Sequence, residues 1–380
     1  MKRSTDNGLH IAMFGHKRMP SREGGIEVVV TELSTRMVAL GHHVTCYNRS
    51  GHHVSGSEYD QPTSGTYQGV KLKKVWTVNK RGLAAMSASV SAAFCTAFGR
   101  YNIVHIHAEG PSFMCWLPKL FGKKVIVTIH GLDWCRTKWG RFASWYIRTG
   151  EKCAVKYANQ IIVLSTAVQD YFLEEYGRET TFIPNGVIKP EIRAVHEIEK
   201  GWGLQKNGYV LFLGRLVPEK GIHYLLEAWK GVSTTMKLVI AGGSSDTSEY
   251  MDTLQKMAGE NVVFTGFQQG QILEELYSNA YLYVLPSDLE GMPLSLLEAM
   301  SFGNCCLVSS IDECTQVVED HGVVFEKGSV KDLAVKIQFL INHPDIVRQY
   351  KETASAFICD KYSWDDVVNR TLALYWDRQT

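Results

Sequence analysis

Residues 209–243 read YVLFLGRLVPEKGIHYLLEAWKGVSTTMKLVIAGG. An apolar run enters Gly214, a helical pattern fills roughly 221–230, and a second apolar run ends in Gly242-Gly243. Near-continuous apolar strands are those buried on both faces, and a strand–helix–strand unit of this size is a parallel crossover. The same rhythm runs outward both ways. Upstream come HIAMFG (10–15), a helical pattern over 24–41 closed by Gly41, HHVTCYN (42–48), NIVHIH (102–107), KVIVTIH (124–130) and QIIVLS (160–165). Downstream come NVVFTG (261–266), AYLYVLPS (280–287), a helix near 292–302 and CCLVSS (305–310). The chain therefore reads as α/β, with two Rossmann-like, doubly wound parallel-sheet domains facing across a cleft. The turn signal Pro184-Asn185-Gly186 divides residues 1–186 from 187–362, with 187–207 as a polar connector. A helical pattern from Trp364 to Trp376, within 363–380, could pack back across either half, the first domain among them. Ligands of such sheets bind where parallel strands end, so the strand ends are where the chemistry should lie.

Composition narrows the class. The 380 residues are 45% hydrophobic and 21% charged, which excludes a disordered or collagen-like chain. The net charge of +1 hides two unlike halves. Residues 1–185 hold 23 Lys and Arg against 13 Asp and Glu (+10), and residues 186–380 hold 17 against 26 (−9). The nine cysteines form no C-x-x-C and read as reduced thiols, which points to the cytoplasm. The apolar stretch 9–14 is too short for a signal peptide and reads as a strand. Residues 82–99, GLAAMSASVSAAFCTAFG, carry no charge. Leu83, Met86, Val90, Phe94 and Phe98 recur there at helical spacing, so one buried stripe of an amphipathic helix is expected rather than a membrane span.

The strand ends carry the informative residues. Neither G-x-G-x-x-G nor G-x-x-x-x-G-K-[ST] occurs, which disfavours a dinucleotide site and a P-loop. Gly24-Gly25 stands at the first strand-to-helix turn, where glycine allows close backbone approach and a helix N-terminus favours anions; plain turn chemistry explains it equally. Arg215 and Lys220 lie just past the strand 209–213, able to neutralise a diphosphate, or else to stand as solvated loop cations. In SDLEGMPLSLLEA (287–299), Glu290 sits in a loop after a strand and Glu298 about two turns into a helix. The apolar neighbours Leu294, Leu297 and Met300 leave Glu298 near the buried side, unlike an ordinary solvated carboxylate.

EGMPLSLLEA (290–299) resembles the E-x7-E motif of retaining glycosyltransferases of the GT-B fold, specifically glycosyltransferase family four. GRLVPEKG (214–221) is similar to that family's Arg/Lys diphosphate clamp, and Pro184-Asn185-Gly186 resembles its interdomain junction. The resemblance runs from about residue 9 to 375. GHKRMPSREGGIE (15–27) and HGLDWCRTKWGRFASWY (130–146) further resemble bacterial capsule and exopolysaccharide enzymes, including rhamnosyltransferase-like members. The resemblance implies these roles: Gly24 and Gly25 form the loop facing the donor phosphates and the acceptor; His130 contacts the transferred sugar; Arg215 and Lys220 bind the diphosphate; Glu290 holds sugar hydroxyls; Glu298 holds the ribose. The backbone of Gly291, Met292, Pro293 and Leu294 supports sugar and phosphate. One departure is Gln316, where many relatives have Glu, although Glu313 matches another commonly acidic position.

His105, His107 and His130 end first-half strands without the spacing of a zinc motif, so no metal site is expected. His107 stands evenly between a structural role and the acceptor site. Within 134–157, Lys138, Arg141, Arg148 and Lys152 share one helical stripe, and Trp139, Phe142 and Tyr146 another. A surface helix with solvated bases is the plain reading; contact with an anionic membrane surface or a lipid-diphosphate acceptor is the sharper one. No nucleic-acid motif accompanies them.

The expectation is a metal-independent retaining glycosyltransferase with a nucleotide-diphosphate sugar as co-substrate and no cofactor. Its acceptor would be a glycan or a lipid-linked glycan of bacterial surface polysaccharide synthesis. On family frequency a UDP-sugar stands first, with dTDP-rhamnose second. The expected location is peripheral, at the inner face of the cytoplasmic membrane. A nucleotide-sugar epimerase would turn over its donor without acceptor. A non-catalytic sugar-nucleotide-binding module would bind nucleotide and release none.

Overall fold

The computed structural model describes residues 8–53, 55–80, 82–135, 140–243 and 248–377. They form two units, Met1–Asn185 with Trp364–Thr380, and Gly186–Ser363.

The first unit contains β1 (His10–Phe14), α1 (Gly25–Ala39), β2 (His43–Asn48), β3 (Gly65–Tyr67), β4 (Val70–Lys74), α2 (Leu83–Phe98) and β5 (Ile103–His107). It continues with α3 (Glu109–Ser112), α4 (Trp116–Leu120), β6 (Lys124–Ile129), α5 (Arg141–Tyr157), β7 (Gln160–Val163), α6 (Thr166–Tyr176) and β8 (Thr181–Phe182). The sheet order is β3-β4-β2-β1-β5-β6-β7-β8, parallel except for the β3–β4 pair. Strand side chains alternate between faces. Ala12, Phe14, Val104, Ile106, Val125 and Val127 therefore join one core with residues of α2, α4, α5 and α6.

The second unit contains α7 (Glu197–Trp202), β9 (Tyr209–Leu213), α8 (Ile222–Trp229), β10 (Lys237–Ala241), α9 (Ser248–Met257), β11 (Val262–Gly266) and α10 (Gly270–Asn279). It ends with β12 (Leu282–Leu285), α11 (Leu294–Ser301), β13 (Cys306–Ser309), α12 (Asp312–Val318), β14 (Val323–Phe325), α13 (Val330–Asn342) and α14 (Pro344–Lys361). Its sheet, in the order β11-β10-β9-β12-β13-β14, is parallel throughout. The chain then returns to the first unit as α15 (Trp364–Trp376), which packs beside α1. Tyr375 Oη and His105 Nδ1 are hydrogen-bonded at 2.6 Å, while His105 Nε2 meets Thr128 Oγ1 at 2.7 Å.

Each sheet reverses its strand order once. β1 lies between β2 and β5, and β9 between β10 and β12. A crevice opens at the carboxyl ends of such strand pairs, because the two following connections leave in opposite directions. Glycine makes both crevices possible. A Cβ on Gly15 (φ +112°) would fall 2.0 Å from the His107 carbonyl oxygen. One on Gly221 (φ +66°) would fall 2.0 Å from that of Pro286. Both positions combine left-handed backbone with backbone-to-backbone approach, which only glycine allows without strain.

Three expectations change. On α2 the stripe is inverted: Leu83, Val90, Phe94 and Phe98 are exposed, and the small residues Ala88, Ser89, Ala92, Ala93, Thr96 and Ala97 are buried. Helical periodicity identifies a stripe but not the face that packs, and small side chains let this helix lie close on the sheet. The connector 187–207 is not all loop. Glu275 Oε2 on α10 accepts from the amides of His196, Glu197 and Ile198 at 3.0, 2.7 and 3.2 Å, satisfying the orphan donors of α7. Burial pushes the Glu275 carboxyl up, but Gln271 and these amides outweigh it and hold it below the ordinary range. Finally, α5 begins at Arg141, after a 3₁₀ turn at Asp133–Cys135.

Candidate functional site

At the second unit's crevice, β9 runs out through Gly214 and Arg215 into the 3₁₀ turn Pro218–Lys220. Lys220 Nζ lies 2.5 Å from Glu290 Oε1, and both side chains are largely buried. Ser287 Oγ donates to the same Oε1 at 2.6 Å. Among the described residues no hydrogen bond reaches Glu290 Oε2, so one oxygen orients the lysine and the other is available to a ligand. The Asp288 amide donates to the Glu219 carbonyl at 2.9 Å, tying the loop after β12 to the loop after β9. Arg215 is half-buried and has no ion-pair partner among the described residues.

Gly291, Met292 and Pro293 are buried and lead into α11, where the Leu296 and Leu297 amides close on the Pro293 carbonyl at 3.0 and 3.2 Å and those of Leu294 and Ser295 have no intrahelical acceptor. Pro293 is its N-cap, so Glu298 lies one turn into the helix rather than two. Leu294 opens the helix. Tyr277 Oη donates to Glu298 Oε2 at 3.2 Å, and Ser295 Oγ lies 2.9 Å from Tyr283 Oη. The structure thus brings Lys220 and Glu290 into direct contact, with Glu298 farther along the same helix-bearing loop.

Ser287 escaped the sequence reading, and Glu313 entered it only through the resemblance, with no role. Burial raises the Glu313 carboxyl, and the charges of Asp312 and Glu290 add to that. This brings the first turn of α12 into the electrostatic neighbourhood of Glu290. The acids of SSIDECTQVV, just past the strand 305–310, were the available signal.

At the first unit's crevice, Gly24 is the N-cap of α1 and Gly25 its first residue. A Cβ on Gly24 would sit 2.7 Å from Glu27 Oε2, so the glycine leaves room for that buried carboxylate. The Lys17 amide donates to Glu27 Oε1 at 2.8 Å, and Lys17 Nζ pairs with Glu23 at 2.8 Å. Burial pushes the Glu27 carboxyl up, but the Lys17 charge and amide outweigh it and keep it below the ordinary range. Arg49 Nη2 donates to the Gly15 carbonyl at 2.8 Å, and His16 Nε2 is bonded to Asn48 Oδ1 at 3.0 Å. Lys17, Glu23, Glu27 and Arg49 are not site residues in the sequence reading, since the contacts that join them depend on how the loop after β1 folds back on α1 and β2.

His107 Nδ1 and His130 Nε2 lie 3.1 Å apart at the ends of β5 and β6. Burial lowers His130 to about 4, against smaller opposing effects of Asp133 and Glu27. Burial and the neighbouring imidazoles His105, His130 and His16 push His107 well below its usual value. Both rings are neutral at neutral pH, so one donates to the other. With His105 committed to Tyr375 and Thr128, the three imidazoles form no metal cage. Among the described residues no group of three or more His, Cys, Asp or Glu could hold a metal ion.

The basic stripe divides. Lys138, with Trp139, lies outside the described residues. Arg141 and Lys152 are exposed on α5, while Arg148 pairs with Glu175 at 3.4 Å and stacks over Trp134 at 4.7 Å. The aromatic stripe also splits, with Phe142 exposed and Tyr146 buried.

Comparison with known proteins covers both units. Residues 23–188 match the family Glycosyltransferase Family 4, and residues 195–370 match Glycosyl transferases group 1. An uncharacterized glycosyltransferase of Methanocaldococcus jannaschii is 25% identical, over 97% of this chain and 98% of its own. An Escherichia coli UDP-Gal:alpha-D-GlcNAc-diphosphoundecaprenol alpha-1,3-galactosyltransferase is 27% identical, over 61% of this chain and 64% of its own. Among solved structures, Anabaena HepE in complex with UDP and glucose has a TM-score of 0.77 at 16% identity, covering 96% of this chain and 98% of that one.

Proposed function

The chain is a glycosyltransferase of the GT-B fold, a family 4-type domain followed by a group 1 domain, and on that premise we propose a retaining, metal-independent enzyme of surface polysaccharide synthesis. It transfers a sugar from a nucleotide diphosphate to a glycan or lipid-diphosphate-linked glycan. The observation that carries the donor assignment is the Lys220–Glu290 pair at 2.5 Å, with Arg215 on the same loop after β9, where β9 and β12 diverge. Two cations and a helix N-terminus suit a diphosphate, and Glu290 Oε2 suits a sugar hydroxyl. Glu298 suits the ribose. In the first unit the neutral His107–His130 pair offers hydrogen bonds rather than a charge. A lipid-linked acceptor is supported by the name of the E. coli relative.

In the proposed reaction the bond between the anomeric carbon and the diphosphate oxygen breaks. The acceptor hydroxyl oxygen forms its bond to that carbon from the same face, and its proton passes to the departing diphosphate. Arg215 and Lys220 stabilise the negative charge that grows on the leaving group, the task a divalent metal performs elsewhere. Transfer should therefore persist in EDTA; activity that disappears and returns with Mg²⁺ or Mn²⁺ would overturn metal independence.

A thermal-shift panel of UDP, GDP, dTDP and ADP tests the donor site. UDP, present in the Anabaena structure, is the first ligand to try. A nucleotide at 100 times its Kd adds about 2.7 kcal/mol of stability. The expected outcome is one nucleotide with a clear upward shift that Arg215→Ala diminishes. No shift with any of the four, or shifts indifferent to Arg215, would refute the assignment. The anomeric configuration of the product, read by NMR with the matching sugar donor, tests retention.

A further inference from the structure

The α2 surface is built the wrong way round for a helix facing water. Its sequence, LAAMSASVSAAFCTAF, contains no charged residue, and its large apolar side chains point outward. Phe94 is 49% exposed and Phe98 68%. The face does not stop at the helix. Phe94 and Phe98 are stacked with centroids 6.5 Å apart, and Phe98 meets Phe121 edge-on at 4.6 Å. Next to Phe121, Leu120 at the end of α4 is 74% exposed. Isolated exposed apolar residues are ordinary on protein surfaces, but a continuous face of this kind marks a site of association.

The surrounding charge says with what. The described bases that flank α2 and α4 along the chain are Lys80, Arg100, Lys119 and Lys123, and the one acid within residues 80–123, Glu109, is fully buried. Lys80 precedes α2 and Arg100 follows it, both exposed. Lys123 Nζ donates to the carbonyl of Gly99 at the helix C-terminus, and Lys119 Nζ to Asn159 Oδ1. These two lysines are held by neutral groups, so their charge is not cancelled locally. An apolar centre within a basic rim matches acyl chains beneath anionic headgroups. A second copy packed face to face across a twofold axis would instead bring two basic rims together, which like-charge repulsion opposes. Among the described residues no helix is long and apolar enough to cross a bilayer, so the helix would lie along the surface.

We propose that the α2 face, continued through Phe121 and Leu120, docks the first unit onto an anionic lipid surface. This is a different surface from the α5 stripe, and it does not depend on the identity of the sugar. The full chain is sedimented with vesicles of phosphatidylcholine, alone or mixed with phosphatidylglycerol. Wild type should pellet with the mixed vesicles only, and less at high salt. Val90→Ser/Phe94→Ser/Phe98→Ser should reduce the bound fraction about tenfold at unchanged melting temperature. Lys80→Glu/Lys119→Glu, which alters exposed bases alone, should weaken binding in the same direction. The proposal is overturned if wild type stays in solution with phosphatidylglycerol vesicles. It is equally overturned if neither variant reduces pelleting, including the case where Arg141→Glu/Lys152→Glu on α5 abolishes it instead. A lipid-free dimer, seen by light scattering and dissolved by the serine variant with no vesicle binding, would assign the face to self-association.

Discussion

Lys220→Ala is expected to lower kcat roughly 10²–10³-fold, the cost of removing one preorganised donor to developing transition-state charge. The lysine is not a loose surface cation. Glu290 fixes its Nζ at 2.5 Å, and with side chains only 12% and 8% exposed the pair keeps its geometry without waiting for ligand. The variant also leaves the Glu290 carboxylate without its cation, costing on the order of 2 kcal/mol of stability. Melting curves must therefore accompany the kinetics. Adding Glu290→Gln to Lys220→Ala removes the orphaned charge and should recover melting temperature but not turnover. A structural role alone would let both recover together. Lys220→Ala with a kcat within a few-fold of wild type would refute the clamp.

The second large effect concerns acid. Burial lowers His16 and His130 to about 4 and His105 to about 3, and puts His107 well below its usual value. The unfolded chain protonates these four imidazoles near pH 6.5, while the folded chain resists until about pH 4. Between those limits the unfolded state binds more protons, so stability falls as pH falls. Glu109 opposes this: burial, Asp133 and Glu151 raise its carboxyl well above the ordinary range, so the folded state holds that proton more tightly. Glu313, also raised, opposes it as well, while the lowered imidazoles of His42, His53 and His223 add to it, leaving a net slope on the order of 3 kcal/mol per pH unit near pH 5. A melting temperature that drops by about 10 °C or more from pH 6.5 to 5 is expected. A flat profile there would mean that these imidazoles titrate inside the folded protein.

Much of this architecture could be read from the amino acids, for local reasons. YVLFLG and AYLYVLPS are strands buried on both faces, and the residues that follow each are carried to the sheet edge whatever the rest of the chain does. That is why Lys220 and Glu290, 70 residues apart, could be named together. Ser287 sits in the same segment, but its hydroxyl became meaningful only once Glu290 Oε1 was seen to accept from it. The orientation of α2 was not legible, because periodicity is blind to which face packs. Nor was α7, whose amides are satisfied by Glu275 from a helix more than 70 residues downstream. The Glu27–Lys17 and Arg49–Gly15 contacts likewise depend on how the loop after β1 folds back on α1 and β2.

The return of α15 to the first unit has a consequence for how the protein is made. One face of the first sheet remains unfinished until residues 364–377 exist, since His105 meets a tyrosine 270 positions later. At about 5–20 residues per second, the ribosome needs roughly 10–40 s to synthesise the intervening second unit. During that interval α1 lacks its neighbour, and the buried imidazole of His105 lacks a partner on one nitrogen. The second unit, a continuous stretch of chain, can complete its fold first even though its synthesis begins later. Expression of residues 1–185 alone would leave that surface open to chaperones or aggregation, whereas fusing residues 364–377 back onto it is the rational way to obtain the first unit in isolation.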